Sequence, residues 1–190
     1  RAADLLVRCP AEEDQLAGLG RNNTSYHEIS TSNPSNLQKI GGLRPLNPGI
    51  YAWQDVDPSV TIVDAPNLDE AGSGVHGWFF VGYKTTDLGN GSWRYEYAVQ
   101  NMTSEQSARS FQVPNPCNAV ISDVFFHDVD HHSGDPYSNT DWTFTTSGSM
   151  IRWQTESFAQ NNNANALRWG TLYNFGFTSN GAPQSTDATL

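Results

Sequence analysis

Between Leu167 and Thr178 the large side chains fall on alternate positions. Leu167, Trp169, Thr171, Tyr173, Phe175 and Phe177 share one parity, while the mixed set Arg168, Gly170, Leu172, Asn174, Gly176 and Thr178 falls on the other. Successive side chains of an extended chain point to opposite faces, so this run predicts a long strand with one buried side. Trp93, Tyr95, Tyr97 and Val99 repeat the pattern against Arg94, Glu96, Ala98 and Gln100. The apolar run Val75 to Tyr83 precedes them, and the turn-rich stretch Asp87 to Ser92 between the two predicts a hairpin. Further strands are expected at Tyr26 to Thr31, Ile50 to Gln54, Val60 to Val63, Ser110 to Val113, Ala119 to Phe126, Trp142 to Thr146 and Met150 to Thr155. A helical turn is expected only at Ala11 to Leu19, where Gly18 and Gly20 end it. About ten short strands separated by Gly and Pro predict an all-β fold, a two-sheet sandwich or jelly roll. We divide the chain into an N-terminal strand, residues 1–10, and one sandwich domain, residues 11–190.

Polarity here comes from neutral groups. Asn, Ser and Thr make up 50 of the 190 residues, whereas charged residues are 16%, below the usual figure of about 25%. Lys and Arg number 10 against 20 Asp and Glu, a formal charge of -10. Nucleic acid and anionic membrane surfaces are disfavoured, since a phosphate-reading protein needs a basic stripe. No apolar run approaches the roughly 18 residues of a membrane span. The sequence opens on Arg1 rather than Met, as a processed mature product would and as a trimmed chain would too; the wealth of amides, hydroxyls, Gly, Pro and aromatics is what leads us to expect an extracellular protein, secreted or held at the cell surface. Cys9 and Cys117 form no metal-type pair, and in an oxidising compartment a disulfide between them is expected; the alternative is two buried thiols.

The first residues form a short amphipathic strand of their own. Ala3, Leu5 and Val7 alternate with Asp4, Leu6 and Arg8 until Cys9-Pro10 stops the pattern. Such a strand either pairs at the edge of its own sheet or is donated to a neighbouring subunit, where main-chain hydrogen bonds give affinity and alternate side chains fill pockets.

Polar motifs are concentrated between His127 and Asp141. Asp128, Asp130, Asp135 and Asp141 are candidate calcium ligands, because alternate aspartates on an extended segment face one side and calcium takes six to eight oxygens. The spacing is not that of an EF-hand, and His127, His131 and His132 make no strong zinc pattern. The competing reading is a polar loop whose Asp and Ser side chains cap turns. Asp55-Val56-Asp57-Pro58 is a second Asp-x-Asp pair in which the proline favours a turn. No Gly-x-Ser-x-Gly, phosphate-loop or His-Glu-x-x-His motif is present, and Glu96 and Glu156 are the only strand glutamates to nominate as a carboxylate pair, so no enzymatic activity is expected. For sugar stacking, Trp53 and Trp142 stand beside acidic loops, while Trp93 and Trp169 are expected in the core. Asn22, Asn23, Asn90 and Asn101 each begin an Asn-x-Ser/Thr pattern and are candidate glycosylation sites.

Several long strings carry a resemblance. Ala52-Trp53-Gln54-Asp55-Val56-Asp57-Pro58, Trp93-Arg94-Tyr95-Glu96-Tyr97-Ala98-Val99-Gln100-Asn101, His127-Asp128-Val129-Asp130-His131-His132-Ser133-Gly134 and the segment from Asn163 to Phe175 resemble a β-domain found in secreted proteins of aquatic bacteria, a family without an assigned activity. The resemblance covers about the last two thirds of the chain and implies export. In architecture, a β-sandwich preceded by a short apolar strand is similar to the subunits of extracellular bacterial fibres assembled by donor-strand complementation. That likeness implies a structural subunit whose partners are identical copies in a homopolymer, with Ala3, Leu5 and Val7 entering the next subunit. The alternative is a secreted module that binds carbohydrate or calcium.

Overall fold

Two antiparallel sheets face each other across an aromatic core in a computed structural model that describes residues 24–33, 35–68, 75–132, 134–147 and 149–190. The expected strand at 1–10 and the helical turn at 11–19 lie outside the described residues. Among the described residues, ten strands and one short helix follow in order: β1 (Tyr26–Ser30), β2 (Gln38–Arg44), α1 (Tyr51–Val56), β3 (Thr61–Leu68), β4 (Val75–Asp87), β5 (Trp93–Asn101), β6 (Ser110–Pro114), β7 (Ile121–His127), β8 (Thr143–Ser147), β9 (Met150–Gln154) and β10 (Leu172–Ser179). The larger sheet has the order β3-β4-β5-β10-β7 and the smaller β6-β9-β8; β1 and β2 form a separate hairpin. The expected all-β sandwich is therefore what the chain forms.

Register follows the alternation. Val81 sits opposite Val99, Val99 opposite Tyr173, and Tyr97 opposite Phe175, so the large residues of β4, β5 and β10 share one face. Phe111 and Val113 of β6 and Ile151 and Trp153 of β9 meet them from the smaller sheet. Ring contacts show how the layers overlap. Phe111 lies 5.3 Å from Tyr97 and 4.9 Å from Phe175, Trp153 lies 5.4 Å from Phe175, and Trp142 lies 5.7 Å from Phe126. The smaller sheet thus covers β5, β10 and β7.

Three local departures have physical causes. Ile50 to Gln54, expected as a strand, belongs to a helical turn: Asn47-Pro48-Gly49 starts it, and the amide of Tyr51 donates to Pro48 O at 3.0 Å. Ile50 and Trp53, three apart, then lie on the outer face of the larger sheet with Phe80, Ala98 and Met102. Gly82 permits that approach, since a Cβ there would lie 3.3 Å from the Trp53 ring. Strand β2 was not expected because Gly41 and Gly42 interrupt its alternation, and every residue in it is exposed. Strand β10 begins at Leu172 rather than Leu167, because Gly170 adopts a φ of 78° and the Thr171 hydroxyl turns back to the carbonyl of Arg168 at 2.6 Å.

Candidate functional site

Five strands face three, and the mismatch leaves a groove. On the inner face of the larger sheet Thr61, Val63 and Ala65 of β3 stand beside Tyr83, Val81 and Phe79 of β4. Phe79 and Val81 are buried, but Val63 is 44% and Tyr83 39% exposed. Both point to the side on which a further strand of the smaller sheet would lie. That place borders β6, whose second edge is paired with β9 along its whole length.

Sheet edges are hazards, because unpaired amides and carbonyls recruit other strands. Here they are treated unequally. Strand β3 carries Pro66, and β8 has only five residues. At β7 a bulge sets Asp123 at a φ of 47°, and Arg94 Nη1 donates to its carbonyl at 2.8 Å. Among the described residues, only Thr189 pairs with the outer edge of β6: it exchanges two main-chain hydrogen bonds with Gln112, 2.8 and 3.0 Å. Phe111 and Val113 face inward and Gln112 does not, so the residues flanking Thr189 face inward as well. Leu190 packs on the core, whereas Ala188 remains exposed. Ala182, Gln184, Ser185 and Thr186 wall a cavity of about 240 Å³ at the end of the sandwich, beside Tyr95, Tyr97, Phe177 and Cys117.

The acidic segment is a structural loop. The Asp128 carboxylate accepts a hydrogen bond from Asn165 Nδ2, and this buried asparagine also accepts one from Tyr173 Oη at 2.7 Å, while its carbonyl accepts the indole N–H of Trp142. Burial pushes the Tyr173 phenol up, keeping it a donor. Asp130, Asp135 and Asp141 are exposed; Asp135 stands 4.0 Å from His131, and Asp141 lines a separate polar depression with Arg109 and Glu156. The structure does not bring the four aspartates together, and among the described residues no three carboxylate, imidazole or thiol groups are placed to hold a metal ion. Asp55 and Asp57 are likewise engaged. Asp55 accepts from Tyr26 Oη and, at 3.2 Å, from Arg44, holding the β1–β2 hairpin to α1; Asp57 pairs with Lys84 and Ser59.

The tryptophans exchange their expected roles. Trp142 is buried and offers no face to a sugar, Trp53 is half-buried with one side packed over Gly82, and Trp169, expected in the core, is 53% exposed. Trp93 is half-buried. Glu96 faces Lys84 across the β4–β5 pair, and Glu156 accepts from Asn161 at 2.8 Å.

Asn90 lies exposed at the β4–β5 turn, but Asn101 is completely buried and its amide bonds to Ser104 and Leu167. Asn101 is closed to modification in the folded chain. Asn22, Asn23, Ala3, Leu5, Val7 and Cys9 lie outside the described residues; Cys117 is an exposed free thiol. No helix among the described residues is long and apolar enough to cross a membrane.

The groove was missed in the sequence because its defining pair, Gln112 and Thr189, has neither unusual composition nor a motif. The exposure of Val63 and Tyr83 depends on sheet widths, which periodicity does not report. Comparison with known proteins adds no assignment: no family model, curated protein or solved structure matches this chain.

Proposed function

We propose that the protein is a structural subunit of an extracellular bacterial fibre, polymerising by donation of residues 2–7 to a neighbouring copy. The observation that carries this reading is the groove beside β6, where Val63 and Tyr83 remain exposed on the inner face of a sheet two strands wider than its partner. A donated strand completes the smaller sheet there. It gains main-chain bonds from β6, and Ala3, Leu5 and Val7 cover the exposed apolar floor. About six residues of strand span roughly 20 Å, comparable to the five residues of β6.

Secretion, attached glycan at Asn90 and oxidation of the free, exposed Cys117 thiol to a disulfide with Cys9 in an oxidising compartment belong to the same proposal, as does kinship with the secreted β-domains of aquatic bacteria. Electron microscopy of the concentrated protein tests it. Full-length chains should form fibres and chains lacking residues 1–8 should remain folded monomers; fibres from the truncated chain would overturn strand donation. A second reading, a carbohydrate-binding module, draws on the exposed ring of Trp169. Specific heat on titrating a glycan panel, lost in Trp169→Ala, would favour it instead.

A further inference from the structure

The edge of β6 that the proposed donor strand would use is already occupied by the chain itself. We infer that residues 186–190 form a displaceable strap over the acceptor groove, and that assembly is an exchange in which residues 2–7 of a second copy replace it on β6. This inference rests on the strand-donation reading above and adds to it the acceptor edge and a built-in restraint.

The strap is a poor strand by each measure. It makes one bridge to β6, at Gln112, where the five-residue edge has room for a longer ladder. It places one large apolar side chain, Leu190, against the core, while residues 182–189 are exposed. Its approach runs past Pro183, which has no amide to donate, and over the cavity lined by Tyr95 and Phe177. It leaves Val63 and Tyr83 exposed.

The donor segment supplies what the strap lacks. With Leu5 and Val7 facing inward and Leu6 opposite Gln112, two branched apolar residues enter where the strap places one, and Ala3 continues the same face. Within residues 2–7 no charge lies on that face, because Asp4 has the opposite parity. The exchange keeps the two hydrogen bonds at Gln112 and extends the ladder on either side. A monomer so strapped resists premature joining, since its acceptor edge is paired until a better strand arrives.

The test uses the full chain with Cys9→Ser and Cys117→Ser, carrying Gln112→Cys and Thr189→Cys. Directly paired residues on neighbouring strands lie about 5.5 Å apart at Cα, within reach of a disulfide. Assembly is followed by light scattering and microscopy with and without reductant. The locked form should stay monomeric and the reduced form should make fibres; independently, Leu190→Ser in the natural background should shorten the lag at least threefold. Equal assembly by locked and reduced forms overturns strap exchange but leaves strand donation standing. Failure of the reduced form and of the natural chain to assemble overturns strand donation, and the strap with it. An unchanged lag in Leu190→Ser overturns the restraint.

Discussion

Phe125 of β7 packs against Gly176 of β10, so close that a Cβ on the glycine would sit 2.2 Å from a ring carbon and 2.7 Å from the carbonyl oxygen of Tyr95. The outer side of the ring is covered by the Arg94 guanidinium, 4.8 Å from the ring centre, and the same arginine holds the bulged carbonyl of Asp123. Glycine here is a packing requirement. The same arginine thus engages one carbonyl of the bulged β7 strand, while the outer edge of β6 carries a single bridge among the described residues.

Gly176→Ala should therefore destabilise the protein by about 1–3 kcal/mol, the usual cost of overpacking. Urea unfolding measures it. Phe125→Ala should recover part of the loss in the double variant and not all, because the Tyr95 carbonyl belongs to the backbone and cannot move away.

Asn165 ties three elements together through Trp142, Tyr173 and Asp128. Replacing it by Ala leaves the main-chain carbonyl that accepts the indole N–H and the Tyr173 bond to the Ala166 carbonyl at 3.1 Å, but removes the side-chain bonds to Tyr173, Asp128 and the Thr140 carbonyl, and should cost about 1–3 kcal/mol. Asp128→Ala should cost less, as Asn165 retains its bond to the Thr140 carbonyl at 3.1 Å. Excess calcium or a chelator should leave the melting temperatures of both variants and of the natural protein unchanged. A calcium-dependent rise in melting temperature, lost in Asp128→Ala, would restore the acidic loop as a metal site.

What the sequence made legible was the part set by alternation. The parity of Tyr173, Phe175 and Phe177 marked the core face of β10, and the Asp87 to Ser92 turn marked the β4–β5 hairpin. Trp169 followed the same parity and is exposed, because the φ of Gly170 breaks the strand before the face can extend to it. Ile50 and Trp53 carried a spacing of three that belonged to a helix, concealed in a segment too short for a full period. Clustering of Asp128, Asp130, Asp135 and Asp141 along the chain did not become clustering in space, since Asp128 turns inward to Asn165 while the others face solvent. A pairing such as Gln112 with Thr189 joins neutral residues 77 positions apart, and nothing local distinguishes them.

Lys84 donates to the Asp57 carboxylate, and with the Ser59 hydroxyl and amide it holds that carboxyl down at about 2. A folded-state value below the unfolded one stabilises the fold above the unfolded value of about 3.9 and is lost as pH falls through the folded one. The melting temperature should drop between about pH 4 and pH 2, more steeply in the natural protein than in Asp57→Asn. Because both groups are partly solvated, the difference should be small and reduced by salt. Identical pH profiles would show that the pair is too well hydrated to matter.

Val63 and Tyr83 separate assembly from folding. Each is more than a third exposed, so Val63→Asp and Tyr83→Asp should leave stability within about 1 kcal/mol of the natural chain. A carboxylate at either place would be covered by an incoming strand with no partner, and that burial is costly. Assembly should therefore slow by at least tenfold in either variant while the unfolding curve stays in place. A control at Val120, exposed in the loop between β6 and β7, should change neither. The same groove presents apolar and neutral groups, so raising salt from about 0.05 to 0.5 M should alter the natural chain's assembly rate only weakly. Normal assembly by both aspartate variants would place the subunit contact elsewhere on the sandwich, and a fibre that dissolved in moderate salt would point to ion pairs instead of strand addition.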